Sequence, residues 1–288
     1  MYKKHCDIIN PGDNVIIGLG DSFTQGVGAY SLQTWASMPQ PASTYNIAGQ
    51  FFLDEQAKNN WVRQLCNYYL PDYKVYNLGV NGAGNRATVR ELYLNPLPKN
   101  LGNVIVILMA TGIERFDFLK QEDSTAGIDW HQKWQTIFPT ISDRGPISIL
   151  EREYFKQIWS PRGDALEFLF TVREVQDFCA VNNYKFLFTS AFDTHINKQT
   201  LSMDLKSKKE YIDIIDWDNY ISIPNRESFM DMVNQLENEY RNIHDIHKHQ
   251  SKLKMPSKYI TPCSHWTIEG NRVVAEYLFE EFKKRNLI

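Results

Sequence analysis

The chain has 288 residues, 43% hydrophobic, 13% aromatic and 23% charged, and its 31 Lys and Arg against 34 Asp and Glu leave a formal charge of -3. This composition excludes a disordered chain, a collagen and a coiled coil, and at this length roughly three quarters of the unfolded surface is buried on folding, in one large domain or two small ones. The near-neutral balance offers no basic excess or stripe, which speaks against a nucleic-acid partner.

In chain order, Met1 to Asn14 carries two lysines, but its only apolar pair, Ile8 and Ile9, runs straight into Asn10-Pro11-Gly12. No signal-peptide core forms there, and a cytoplasmic location is expected. Asn14 to Gly20 (NVIIGLG) is a short β-branched run ended by glycines, the pattern of a strand buried on both faces. From Phe52 to Leu70, Trp61, Leu65, Tyr68 and Tyr69 recur at helical spacing until Pro71. Lys74 to Gly79 and Asn103 to Thr111 read as two further strands, separated by a helix over Ala83 to Leu94. The longest uninterrupted apolar run, Val104 to Ala110, is far shorter than the roughly 20 residues that cross a bilayer, so no membrane span is expected.

Beyond Phe118 the pattern breaks into an aromatic-rich stretch, about 121–162, with Trp130, Trp134, Phe138, Trp159 and several prolines, read as an insertion over the core. A helix over Ala165 to Asn182 and a strand over Lys185 to Phe192 follow. A second, polar insertion, about 193–258, precedes a last helix over Thr267 to Arg285. Strands alternating with helices predict a single α/β domain over 1–288, with a mostly parallel sheet covered on both faces and right-handed crossovers. Ligands on such sheets bind at the carboxyl ends of the strands.

Three segments follow strand ends or precede the last helix. In Gly18-Leu-Gly-Asp-Ser-Phe-Thr-Gln-Gly26, glycines let the backbone turn tightly around Ser22, whose hydroxyl and N–H can then face a substrate. The same loop also reads as a plain helix cap formed by Asp21 or Ser22, while the glycine spacing fails the dinucleotide fingerprint. In Asn77-Leu-Gly-Val-Asn-Gly-Ala-Gly-Asn85, bare amides at a helix start form a cradle for an oxyanion or a phosphate, with Gly82 or Gly84 as donor. The bland alternative is a glycine-rich connection for close packing. In Thr261-Pro-Cys-Ser-His-Trp-Thr-Ile-Glu-Gly270, His265 sits in a loop before an amphipathic helix, placed as a base for a serine or as an ordinary surface histidine.

Taken together, GDSFTQG resembles the nucleophile block of the SGNH/GDSL serine hydrolases, NLGVNGAG their second block and SHWTIEGNRVVAEYL their histidine block, in the family's order. The resemblance implies a flavodoxin-like three-layer α/β/α sandwich, Ser22 as nucleophile, His265 as base, and oxyanion amides at Ser22 and Gly82. It implies ester hydrolysis without metal or organic cofactor, on a small-molecule or glycan ester: it permits lipid esters, thioesters and acetylated sugars, and the aromatic insertion with the missing membrane and secretion signals tilts the expectation toward an acetylated carbohydrate. Two positions depart from the family. Where its third block has Gly-x-Asn-Asp, this chain has Ala110-Thr-Gly-Ile-Glu-Arg-Phe-Asp117, with Gly112 or Glu114 at the asparagine. The oxyanion hole then has two amides, or is completed by Thr111, Asn85 or Arg115. Where the family has an aspartate three residues before the histidine, this chain has Pro262. His265 is then oriented by a carbonyl or a distant carboxylate, for which Asp193 is a candidate, or the site is a Ser–His dyad.

These departures keep a second class open, a catalytically impaired carbohydrate-binding or assembly protein on the same fold. Asp21 is a further accessory candidate beside the nucleophile. His244, His247 and His249 with Asp245 lie among polar neighbours and read as a solvated helix face rather than a metal site. The tryptophans of the first insertion serve either to pack it or to wall a sugar ring or acyl chain. Cys6, Cys66, Cys179 and Cys263 form no CxxC pair, which predicts reduced thiols and no zinc knuckle.

Overall fold

Alternate residues of one strand feed two separate cores. In β1 (Asn14–Gly20), Val15, Ile17 and Leu19 are buried with Val89, Phe168 and Val172, whereas Ile16 is buried with Trp61, Leu65, Val274 and Leu278. A period of two on a strand sends neighbouring side chains to opposite faces, so both faces of the sheet are covered. The structure, a computed structural model, describes residues 6–27, 29–30, 50–119, 134–137, 153–192, 196–205, 209–243, 257–261 and 264–288.

The other described strands are β2 (Tyr73–Asn77), β3 (Val104–Ala110), β4 (Phe116–Leu119), β5 (Trp134–Ile137) and β6 (Lys185–Ser190). Four of them form an all-parallel sheet in the order β2-β1-β3-β6, with Gly18 beside Asn77, Gly20 beside Met109 and Ala110 beside Ser190. The chain winds outward from β1 in one direction to β2 and in the other through β3 to β6. β1 and β3 therefore flank the switch point of a doubly wound, flavodoxin-like sheet, where a crevice opens at the strands' carboxyl ends. β4 and β5 pair antiparallel in a separate two-stranded ribbon.

The described helices are α1 (Ser22–Gln25), α2 (Gln50–Asn59), α3 (Trp61–Tyr69), α4 (Asn85–Leu94), α5 (Pro161–Asn182), α6 (Lys198–Asp204), α7 (Lys209–Ile212), α8 (Phe229–Ile243) and α9 (Ile268–Lys284). α4 and α5 cover one face of the sheet and α3 and α9 the other, which makes the expected three layers. The helix expected over Phe52 to Leu70 is broken in two. Asn60 adopts an extended conformation and its side chain accepts from the Arg63 N–H, starting α3 afresh with a cap that helical periodicity does not register. α5 begins at Pro161, inside the stretch expected as the first insertion, because the Ser160 side chain caps it and Pro161 needs no N–H at the first helical position.

The segment expected as a polar insertion also carries core residues. The Ile221 N–H donates to Phe188 O at 2.8 Å beside the edge of β6, and Ile221, Ile223, Phe229 and Val233 are buried in the core beneath α9. Ile221 and Ile223 alternate too briefly to mark a strand, whereas Phe229 and Val233 lie four apart on α8, a helical spacing not recognised within the polar segment. Among the described residues no helix is long and apolar enough to cross a membrane.

What positions the site is the close approach of two strand-end loops. The Leu78 and Val80 N–H groups donate to Gly18 O and Gly20 O, at 2.8 and 2.9 Å, carrying the β1–β2 ladder past the end of β2. Asn77 ties this loop to α1, donating from Nδ2 to Thr24 O at 2.7 Å and accepting from the Gly79 N–H at 2.9 Å. A Cβ at Gly79 would lie 2.4 Å from Gln25 N and 2.7 Å from Thr24 C, both backbone atoms that cannot rotate away. Gly79→Ala is therefore expected to destabilise the protein by about 1–3 kcal/mol, the usual range for overpacking, as a lower urea midpoint with unchanged slope.

Candidate active site

The first strand delivers Ser22 directly. β1 ends at Gly20, Asp21 caps the short helix α1 by accepting from the Phe23 N–H at 3.0 Å, and Ser22 is the first helical residue. At the other end of the chain, His265 is held in a tight loop closed by an antiparallel bridge between Ile260 and Trp266. The Thr261 N–H and hydroxyl both donate to His265 O, at 2.8 and 3.0 Å, and the His265 N–H returns a bond to Thr261 Oγ1 at 3.0 Å. Ser264 turns the corner with φ 63, a left-handed conformation that a serine adopts only when its surroundings impose it. The result is a His265 Nε2 to Ser22 Oγ distance of 2.8 Å, between two residues 243 apart in sequence and each only 5% exposed.

The imidazole is stacked on an aromatic ring as well as hydrogen-bonded. Phe23 stacks on His265 with ring centroids 4.9 Å apart and an interplanar angle of 28°, and it also packs on Trp266 and Phe192 at 4.7 and 5.4 Å. The residue after the serine thus fixes the ring that faces the serine. This contact was missed in the sequence, and the only signal for it was an aromatic side chain inside the GDSFTQG block.

The second loop brings up Gly82. Val80 to Ala83 form a turn closed by the Ala83 N–H on Val80 O at 3.1 Å, with Gly82 at φ 73, the positive angle that a type II turn demands at its third residue. Among the described residues, neither the Ser22 nor the Gly82 N–H donates to a protein acceptor. The third loop carries Thr111 and Arg115, and both converge on Asp21. The Thr111 hydroxyl donates to Asp21 Oδ2 at 2.9 Å, and the Arg115 guanidinium donates to the same oxygen at 2.9 Å and to Ala83 O at 3.1 Å. Asn85 exchanges two bonds with the Thr111 backbone, accepting from its N–H at 2.8 Å and donating to its carbonyl at 3.1 Å.

Ser22, His265, Gly82, Asp21, Thr111, Asn85 and Arg115 are thus gathered at one end of the sheet. Thr111, Asn85 and Arg115 spend polar atoms on joining the loops. Gly112 brings no side chain, and the Glu114 carboxylate lies over it, 2.5 Å from where a Cβ would stand. Asp193, Pro262, Cys263 and the histidines at 244, 247 and 249 with Asp245 lie outside the described residues, as does Trp130. No group of three metal-ligating side chains occurs among the described residues.

By sequence, no family model and no curated protein matches the chain. Among solved structures it is similar to a lipolytic protein of the G-D-S-L family from Desulfitobacterium hafniense, at 11% identity and a TM-score of 0.40, over 93% of this chain and 99% of that one. It is also similar to an acetyl xylan esterase, at 14% and 0.37 over 92% and 98% of the two chains. An acetylxylan esterase from Geobacillus stearothermophilus gives 12% and 0.38, over 95% of each.

A thiol is a nucleophile only as its thiolate, and burial disarms the described cysteines. Cys66 and Cys179 are buried free thiols that desolvation pushes up to about 12, so almost no thiolate exists near neutrality. Peptide mapping after iodoacetamide treatment at pH 7.5 is expected to find both unmodified in the folded protein and alkylated after denaturation.

Proposed function

We propose that the protein is a serine ester hydrolase with Ser22 as nucleophile and His265 as base, and that its substrate is a carboxylic ester of the acetylated-carbohydrate class. The observation that carries the reading is the 2.8 Å approach of His265 Nε2 to Ser22 Oγ. A serine hydroxyl is a weak nucleophile unless a positioned base accepts its proton.

In this reading Ser22 donates its proton to Nε2 as Oγ attacks the ester carbonyl, and the N–H groups of Ser22 and Gly82 receive the oxyanion. His265 protonates the departing alcohol. A water, deprotonated by His265, then attacks the acyl-serine and frees the acid. Each step moves a proton between groups of this chain, the substrate and water, so no metal or organic cofactor is assigned. The clamp of Thr261 on the His265 backbone and the stack of Phe23 on its ring support the role of a fixed base.

The test is a fluorophosphonate probe with acetate release from an acetylated xylooligosaccharide. Probe labelling is expected at Ser22 alone, and Ser22→Ala is expected to stay folded, lose the label and lower kcat at least about 10⁴-fold. Labelling elsewhere, or undiminished turnover by Ser22→Ala, refutes the assignment. His265→Ala is expected to lower kcat about as far as Ser22→Ala does, because nucleophile and base act as a unit. A folded His265→Ala that keeps wild-type kcat sinks His265 as the base.

A further inference from the structure

Arg115 touches the loops of Ser22 and Gly82 directly and bears on His265 through two aromatic rings. One guanidinium nitrogen donates both to Asp21 Oδ2, next to Ser22, and to Ala83 O, one residue past Gly82. The guanidinium carbon lies 4.9 Å from the Phe192 ring centroid; Phe192 packs on Phe23, and Phe23 stacks on His265. The Asp21 side chain is 1% exposed and that of Arg115 14%, so the ion pair is shielded from water.

We infer that Arg115 is the positioning residue of this site, a cation that holds the two amides assigned to the oxyanion at a fixed separation. The inference rests on the ester-hydrolase reading for its kinetic consequence and on geometry alone for the crosslink. The physical case is one of necessity on both sides. A buried carboxylate must be paired, since an uncompensated charge away from water is strongly unfavourable. Thr111 and the Phe23 N–H supply neutral donors to Asp21, but among these contacts only Arg115 brings opposite charge. The same nitrogen then binds the Ala83 carbonyl in the neighbouring loop, so satisfying Asp21 also fixes that loop. The segment after β3 has Gly112 or Glu114 at the place of the family's asparagine, and it acts on the oxyanion site indirectly, by bracing the amides.

Charge alone is insufficient for this role. A planar guanidinium presents several donors in a fixed fork and stacks on aromatic faces, as over Phe192, whereas a lysine ammonium is a hydrated point charge on a flexible stem. Arg115→Lys should therefore retain the charge but lose the register.

The experiment uses the full chain and three readouts: p-nitrophenyl acetate kinetics, the rate of fluorophosphonate labelling at Ser22, and amide NMR shifts of Ser22 and Gly82. Arg115→Ala is expected to lower kcat and the labelling rate together by about tenfold to a hundredfold, the loss typical of a small misplacement, with KM little changed. Millimolar guanidinium should restore part of that loss, and Arg115→Lys should fall between. The Ser22 and Gly82 resonances should move in both variants. Wild-type positions of both resonances, or a folded Arg115→Ala with wild-type kcat, overturn the inference. If Arg115→Ala does not fold, Arg115→Lys decides by the same resonances. A wild-type protein that neither hydrolyses ester nor takes the probe defeats the hydrolase reading alone, and the two resonances still judge the crosslink.

Discussion

The carboxylate of Asp21 is the constraint on which the site is built. It is fully buried, and it accepts from its own loop through the Phe23 N–H and from the third loop through Thr111 and Arg115. A carboxylate in that position is tolerable only if all its donors arrive together. The three segments therefore do not approach one another independently: the charge makes their meeting cooperative, because losing one donor raises the cost of burying the rest. Asn85 extends the same logic, pairing its amide with the Thr111 backbone and so joining α4 to the end of β3.

The histidine reaches this assembly by a different route, across the opposite layer of the sandwich. Asn271 accepts from the Trp61 N–H at 3.0 Å and donates to Trp266 O and Thr267 O, while Gln64 donates to Ile268 O at 2.8 Å. The starts of α3 and α9 are thereby fixed to each other, and the loop carrying His265 leaves from that junction. Its geometry is then set locally by Thr261, by the left-handed Ser264 and by the face of Phe23. Two kinds of force thus meet in the Ser22–His265 contact. Polar pairing holds the serine side, and apolar packing with backbone clamps holds the imidazole side.

Much of this was legible in the sequence, for identifiable reasons. β1, β3 and β6 were readable because strands buried on both faces carry runs of Val, Ile, Leu and Phe, the edge strand β2 was readable from Val75 and its tyrosines running to a glycine, and Ser22, Gly82 and His265 stood out because glycine, serine and histidine cluster at the ends of elements. The break at Asn60 was not readable, since a capping asparagine inside an amphipathic stretch leaves the apolar period intact. The role of Asp21 was half visible. A cap was expected from its position before α1, but its pairing with Arg115 spans 94 residues and has no local signature. The burial of Ile221 was hidden for a similar reason, because it packs from an irregular segment, whereas the i, i+4 spacing of Phe229 and Val233 on α8 was a helical signal left unread.

The topology explains why such distant pairings are possible at all. With β1 central and its neighbours β2 and β3 reached by crossovers in opposite directions, the loops after these three strands must emerge side by side at one end of the sheet. Parallel order alone brings the loops to the same edge; it does not fix them to within hydrogen-bond tolerance. That finer adjustment comes from features that only small or specifically shaped residues permit: the bare Gly79 against the backbone of Thr24 and Gln25, the positive φ of Gly82, and the Asn77 side chain bonded to both sides of the gap. A coarse fold rule and a few tenths of an ångström of local chemistry therefore act in series. A sheet of the same order with a bulkier residue at position 79 would keep its architecture and still lose the close approach of its second loop to the backbone of α1.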